Sequence, residues 1–220
     1  MRFIHHCETD PGKVRENNED SFVVEEALGL YIVADGMGGH EKGDIASRIA
    51  VDTIRDYILL NSGVNVALNG SGREPVHLDS EVGVVEQALR DGNKAILNYS
   101  HEKGVNSAMG TTAALLRIIG NNAIISNVGD SRIYLIRDQH ISRMTRDHTV
   151  AEESGSIENP EMKPVLTKAL GTKENVSPDT RMDKIKPGDC FILCSDGLTD
   201  VVDDEEILYM VQMFENNPKE

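Results

Sequence analysis

Five short stretches of the sequence place carboxylates where an apolar run meets a turn. Val33-Ala34-Asp35-Gly36-Met37-Gly38-Gly39-His40 closes one run, Asn127-Val128-Gly129-Asp130-Ser131-Arg132 a second, and Leu193-Cys194-Ser195-Asp196-Gly197 a third. Asn18-Glu19-Asp20 precedes the run Phe22–Val24, and Thr145-Arg146-Asp147-His148 follows a later one. A single Asp-Gly is a good turn and nothing more. Repeated at the ends of several strands it means more, because a strand fixes the direction of its last side chain and several such carboxylates can converge. Carboxylates held close together repel, and a hard divalent cation is the usual remedy. Glycine beside the acid lets backbone approach closely and frees a carbonyl as a further oxygen ligand. No His/Cys cluster with zinc spacing competes, so the donor set favours Mg²⁺ or Mn²⁺. On the anion side stands Arg15, in Lys13-Val14-Arg15-Glu16-Asn17-Asn18-Glu19-Asp20. Its guanidinium can grip two phosphate oxygens at once, or pair with an acid in that charged stretch.

The elements that must position these groups are legible as alternating short strands and long helices. Phe22–Val24, Leu30–Ala34, Ala113–Ile119, Ala123–Val128, Ile133–Ile136 and Cys190–Cys194 have strand length and are mostly bounded by Gly, Asn or Asp. Asn121-Asn122 and Arg137-Asp138-Gln139-His140 sit where hairpin turns are needed, which predicts antiparallel sheet. Ile45, Ala46, Ile49, Ala50, Ile54 and Ile58 form one helical stripe. Val84, Val85, Ala88, Leu89, Ala95, Ile96 and Tyr99 form a second, after the start signal Asp79-Ser80. A third helix is predicted from Asp203, where Asp203-x-x-Glu206 resembles a capping box. The polar stretches Asn61–Leu78 and Glu152–Lys163 read as a surface loop and a flap. Strands grouped around a helical pair indicate an α+β fold.

Composition bounds the rest. The 220 residues fit one domain, with 39% hydrophobic and 27% charged residues, as in a globular chain. A formal charge of −15 repels a phosphate backbone or an anionic membrane surface, so nucleic acid is not an expected partner. No apolar run reaches the ~20 residues that span a bilayer. Cys7, Cys190 and Cys194 form no C-x-x-C pair, which fits a reducing compartment, and cytoplasmic residence is the expectation. Cys190 and Cys194, four residues apart on one strand face, read as core thiols.

Taken in order, Arg15-x-x-Asn18-Glu19-Asp20, Asp35-Gly36-Met37-Gly38-Gly39-His40, Gly110-Thr111-Thr112, Gly129-Asp130-Ser131-Arg132, Thr145-x-Asp147-His148 and Ser195-Asp196-Gly197-Leu198-x-Asp200 resemble the bacterial form of the type 2C metal-dependent protein Ser/Thr phosphatases. The resemblance implies a four-layer α-β-β-α sandwich of two antiparallel sheets flanked by helices. It also implies hydrolysis of phosphoserine and phosphothreonine in proteins at a centre of two Mn²⁺ or Mg²⁺ ions. On that basis Asp35 bridges the ions, the Gly36 carbonyl and Asp196 are ligands, Glu19 holds water at the metal, and Asp20 supports the site. Arg15 binds the substrate phosphate, while Asp147 and Asp200 match positions serving a third, weaker ion. Gly129-Asp130-Ser131-Arg132 is read as structural, a tight turn with an internal ion pair. The implied partners are phosphoproteins, among them a cognate Ser/Thr kinase, with the chain acting as a monomer.

Two departures from the family pattern stand out. Met37 follows Asp35-Gly36 where eukaryotic relatives often carry an acid His, so the resemblance leaves leaving-group protonation to a metal-bound water first and to His40 second; His40 is otherwise a helix-entry residue. The chain also ends before the last helix and the Asp-Asn strand of the family, so the expectation over residues 1–220 is one C-terminally short phosphatase domain with an incomplete ligand set. That is the basis of the competing reading, a non-catalytic phosphoprotein-binding or regulatory domain of the same fold. A nucleotide-binding loop is excluded because Asp44-Ile45 stands where Lys-Ser/Thr is required. A cysteine-dependent phosphatase is excluded because no cysteine is followed six residues later by Arg.

Overall fold

The computed structural model describes residues 3–13, 17–38, 42–62, 77–105, 109–156 and 164–214. Strands β1 (Asp20–Glu25) and β2 (Leu30–Met37) are joined by a single 3-10 turn, and helices α1 (Lys42–Asn61) and α2 (Leu78–Glu102) follow. Next come β3 (Gly110–Thr111), β4 (Ala113–Ile119), β5 (Asn122–Val128), β6 (Arg132–Arg137), β7 (His140–Arg143) and the short helix α3 (Val150–Ser154). β8 (Asp179–Lys184), β9 (Cys190–Cys194), the one-turn α4 (Asp196–Thr199) and α5 (Asp204–Met213) complete the described elements.

The larger sheet runs β1-β2-β4-β5-β8, with β3 on β2, and the smaller runs β7-β6-β9; every pairing is antiparallel. Side-chain alternation along a strand decides what each face covers. On β4, Ala113 and Leu115 join Leu30, Ile32 and Ala34 of β2 against Ala46, Ala50 and Ile54 of α1 and Val85 and Leu89 of α2. Ala114 and Leu116 point the other way and meet Ile133 and Leu135 of β6 between the sheets. The outer face of the small sheet puts Tyr134 and Cys194 against Ile207 of α5. Three apolar layers between four structural ones make the α-β-β-α sandwich.

The hairpins and caps follow the local chemistry. Asp138 and Gln139 both adopt positive φ (51° and 63°), as a two-residue turn between β6 and β7 requires. The β4–β5 turn is centred on Gly120-Asn121, one residue earlier than Asn121-Asn122, because Gly120 takes positive φ without strain. Asp203 caps α5 through Oδ1, which accepts the Glu206 N–H at 2.8 Å. α2 begins at Leu78, so Asp79 and Ser80 lie in its first turn, where an acid favours the helix dipole. Most of the predicted loop at 61–78 and the predicted flap beyond residue 156 lie outside the described residues. No described helix is long and apolar enough to cross a membrane.

One polar group in the helix-facing core is large. Arg117 on β4 is fully buried and pairs with Glu81 of α2 at 3.0 Å, and it also donates to Ser62 at the end of α1. Its Nε and Nη1 have no hydrogen-bond partner among the described residues.

Candidate metal centre

The register of the first hairpin sets Asp20 directly opposite Asp35. At that edge the chain comes unusually close to itself. The Gly36 N–H donates to the Glu19 carbonyl at 3.0 Å. A Cβ on Gly36 would collide with the carbonyl of Gly43 in α1, and a Cβ on Gly43 would collide with the Glu19 carboxylate. The Glu19 carboxyl group therefore rests on the first turn of α1, a seat that only two glycines can form. The Ser47 hydroxyl, buried in α1, donates to the Glu19 carbonyl at 2.7 Å and closes this edge.

Two threonine hydroxyls bracket the backbone of Asp35. Thr112 Oγ1 accepts the Asp35 N–H at 2.9 Å, and Thr111 Oγ1 donates to the Asp35 carbonyl at 2.8 Å. Gly110-Thr111-Thr112 thus fixes the strand end from which the Asp35 carboxylate projects. The small sheet is tied to the same place: Ser195 Oγ donates to Asp20 Oδ2 at 2.7 Å, across 175 positions of sequence. That bond brings Asp196, the first residue of α4, beside the end of the β1–β2 hairpin.

Asp130 joins them. Burial, and after it the nearby Asp196 carboxylate, push the Asp130 carboxyl group up to about 6, with Asp147 adding to the effect and Arg132 opposing it. Burial is the larger cause, and the Asp196 contribution places a second carboxylate near the first. The sequence signal of Asp130 was the same as that of Asp35 and Asp196, an acid between a strand end and a turn.

Asp147, expected to serve a third ion, is occupied otherwise: its two oxygens accept from Arg132 Nε at 3.2 and 3.0 Å and from Arg132 Nη2 at 2.7 Å, and Arg143 Nη1 lies at 3.3 Å. Two guanidinium groups thus converge on this carboxylate, most of their bonds going to Oδ2. The expected internal ion pair of the Gly129–Arg132 turn is replaced by this one, since Arg132 reaches 15 residues on to Asp147. Asp200 caps α4, its N–H donating to the Asp196 carbonyl at 2.8 Å, and is exposed. Met37 pairs with Gly110 and is half-buried. Arg15 and His40 lie outside the described residues. Cys194 is buried and its thiol is pushed up to about 12 by that burial, which makes it inert as a nucleophile.

The donors brought to this edge are carboxylate and carbonyl oxygens, the set a hard divalent cation takes. Asp44, next to Gly43 in the first turn of α1, also has a side-chain oxygen shut off from solvent, Oδ1, with no hydrogen-bond partner among the described residues. Among the described residues no three acidic, imidazole or thiol groups are already gathered as closely as a bound ion would hold them.

A family model described as "Protein phosphatase 2C" matches residues 13–219. The serine/threonine phosphatase stp of Listeria monocytogenes serotype 4b (strain F2365) is 33% identical over 211 residues, covering 90% of this chain and 79% of that protein. The crystal structure of the Mycobacterium tuberculosis serine/threonine phosphatase PstP/Ppp superposes with a TM-score of 0.78 at 32% identity, covering 94% of this chain and 83% of that one. A structure of the catalytic domain of PstP in complex with two manganese ions gives a TM-score of 0.76, also at 32% identity, over 93% of this chain and 82% of that one.

Proposed function

The chain belongs to the protein phosphatase 2C family and is a serine/threonine protein phosphatase, and we propose that it hydrolyses phosphoserine and phosphothreonine at a centre of two Mn²⁺ or Mg²⁺ ions built on Asp35. The observation that carries this reading is the convergence of Glu19, Asp20 and Asp35 from one sheet with Asp196 from the other, locked by the Ser195–Asp20 hydrogen bond.

In this reading Asp35, the Gly36 carbonyl and Asp196 hold the two ions, and Glu19 orients water beside them. Asp130 stands with Asp196 in place of Asp147 as the pair for a further ion. Bound there, such ions would acidify a water molecule and offset the charge that builds on the phosphoryl oxygens. Everything else falls to the chain itself. Thr111 and Thr112 hold the Asp35 backbone so that its carboxylate projects from a fixed strand end. The Gly36–Gly43 contact fixes Glu19. Arg15 is assigned to the substrate phosphate, because a guanidinium matches two phosphoryl oxygens. Water is the nucleophile, so neither Ser195 nor a cysteine need form a phosphoenzyme; Ser195 is already engaged with Asp20. Phosphoproteins are the substrates, and a kinase that opposes the enzyme is one of them.

The test is phosphate release from a phosphothreonine peptide, with Mn²⁺ titrated in and then removed by EDTA. Saturable, chelator-sensitive release that disappears in Asp35→Asn is the expected result. A folded protein that binds the phosphopeptide but releases no phosphate at any Mn²⁺ concentration would transfer the assignment to the non-catalytic binding domain.

A further inference from the structure

The segment Thr145-Arg146-Asp147-His148 contributes to the centre in a different way from a ligand. Three of its side chains are bound to the segment Gly129–Ile133, which carries Asp130. Thr145 Oγ1 accepts the Ile133 N–H at 3.1 Å, and Asp147 holds the Arg132 guanidinium through three hydrogen bonds. His148 takes the Gly129 N–H on its Nδ1 at 3.0 Å, and its own N–H donates to the Gly129 carbonyl, also at 3.0 Å. His148 is 2% exposed, so its two bonds to Gly129 are shielded from bulk water.

The His148 ring is itself fixed from outside. Because Nδ1 accepts a backbone N–H, the ring proton lies on Nε2, which points at Asp179 Oδ2 at 3.2 Å. Lys168 Nζ lies 3.2 Å from the same nitrogen but bonds Asp179 Oδ1 at 2.8 Å, since a protonated Nε2 leaves it nothing to donate to. Asp179 therefore selects the tautomer that lets His148 hold Gly129. Gly129 has φ +99°, and a Cβ there would lie 2.6 Å from Thr112 Cγ2. Ser131 is bound to Thr112 Oγ1 at 2.6 Å. The residues on either side of Asp130 are thus anchored, and the Asp196 carboxylate lies near its own.

We propose that Thr145, Asp147 and His148 form a positioning clamp on the Gly129–Ile133 segment, with His148 setting the direction in which Asp130 meets Asp196. The proposal rests on the reading of Asp130 and Asp196 as ion ligands, and it makes His148 a positioning residue that touches neither ion nor substrate. Groups of this kind, one bond removed from a ligand, change metal affinity by about 10–100-fold when lost.

The experiment measures Mn²⁺ binding to the full chain by electron paramagnetic resonance of free Mn²⁺, alongside kcat and KM for the phosphothreonine peptide. His148→Ala, His148→Asn and His148→Gln are compared at matched folding, checked by circular dichroism. His148→Ala weakens Mn²⁺ binding about tenfold or more and lowers kcat with KM unchanged. His148→Asn restores most of the loss, because its Oδ1 stands close to where Nδ1 stood. His148→Gln does not, because its amide reaches the Nε2 side instead. A folded His148→Ala with wild-type Mn²⁺ affinity overturns the clamp, as do Asn and Gln variants that behave alike. If His148→Ala does not fold, the Asn–Gln contrast decides. A wild-type protein that is folded but binds no Mn²⁺ overturns the metal-centre reading itself, a failure distinct from that of the clamp.

Discussion

Arg117 and Arg132 both reach a carboxylate from an inner strand, at opposite ends of the sandwich and with opposite electrostatics. Arg117 stands across from Leu30, at the end of β2 remote from Asp35. It and Glu81 are 0% and 3% exposed, and two of its nitrogens lack partners among the described residues. Burial pulls the Arg117 guanidinium below its ordinary pKa, and Glu81 offsets this only in part. Arg132 and Asp147 are 25% and 8% exposed. Burial opposes the Arg132 charge as well, but the hydrogen bonds from Asp147 and Tyr134 outweigh it and raise the pKa. The remote pair is an incompletely satisfied charge in an apolar layer, kept in place by one carboxylate and the Ser62 hydroxyl. The pair near the centre is fully bonded and belongs to a network that ends at Asp130. Similar chemistry thus serves cohesion at one end and geometry at the other.

Breaking the remote pair should have the largest effect on stability. Glu81→Ala leaves a buried guanidinium uncompensated and should cost about 3–5 kcal/mol, read by urea denaturation. Replacing both partners by apolar residues of similar volume, as in Arg117→Met with Glu81→Leu, should bring stability back to near wild type or above it. A mild effect of Glu81→Ala alone would show that the two ends do not differ as described.

The matching change near the centre should act mainly on function. Asp147→Asn should weaken Mn²⁺ binding and turnover by about 10–100-fold, roughly 1.4–2.8 kcal/mol at 1.4 kcal/mol per tenfold. Its cost in unfolding free energy should be smaller than that of Glu81→Ala. If Asp147→Asn lowered only the denaturation midpoint, the clamp would be mere cohesion and the contrast would collapse.

The smallest expected effect concerns a third pair, Arg137–Asp189, which joins the turn before β9 to β6 at 2.6 Å, while the same arginine also donates to the Lys184 carbonyl of β8. The Arg137 hydrogen bonds hold the Asp189 carboxyl group below its usual range. A carboxyl group that is more acidic folded than unfolded adds stability above its unfolded pKa of about 3.9, and that stability is lost as pH falls through the lower folded value. Arg137→Leu should therefore be less stable than wild type at pH 7, with the difference shrinking below about pH 4. Denaturation curves at a series of pH values would show it. A difference that stayed constant with pH would assign the effect to packing alone.

Much of this protein was legible in one dimension. The stripe from Ile45 to Ile58 and the alternation through Ala113–Ile119 specified a helix and a strand, because burial of one face imposes its period on the sequence. Acids at the ends of apolar runs specified where charge gathers, since a strand end aims its side chain. The order of six motifs specified the family. Tertiary structure alone decided what each carboxylate meets. Asp130 and Asp147 look alike as sequence, yet one is buried near Asp196 and the other is bonded to two arginines. The seating of Glu19 on Gly43, the Ser195–Asp20 bond and the burial of Arg117 were equally invisible. Each depends on which residue arrives opposite another across tens of positions or more. Local spacing fixes the direction of a side chain from its own element; only the packing of sheet on sheet and helix on sheet fixes what it meets.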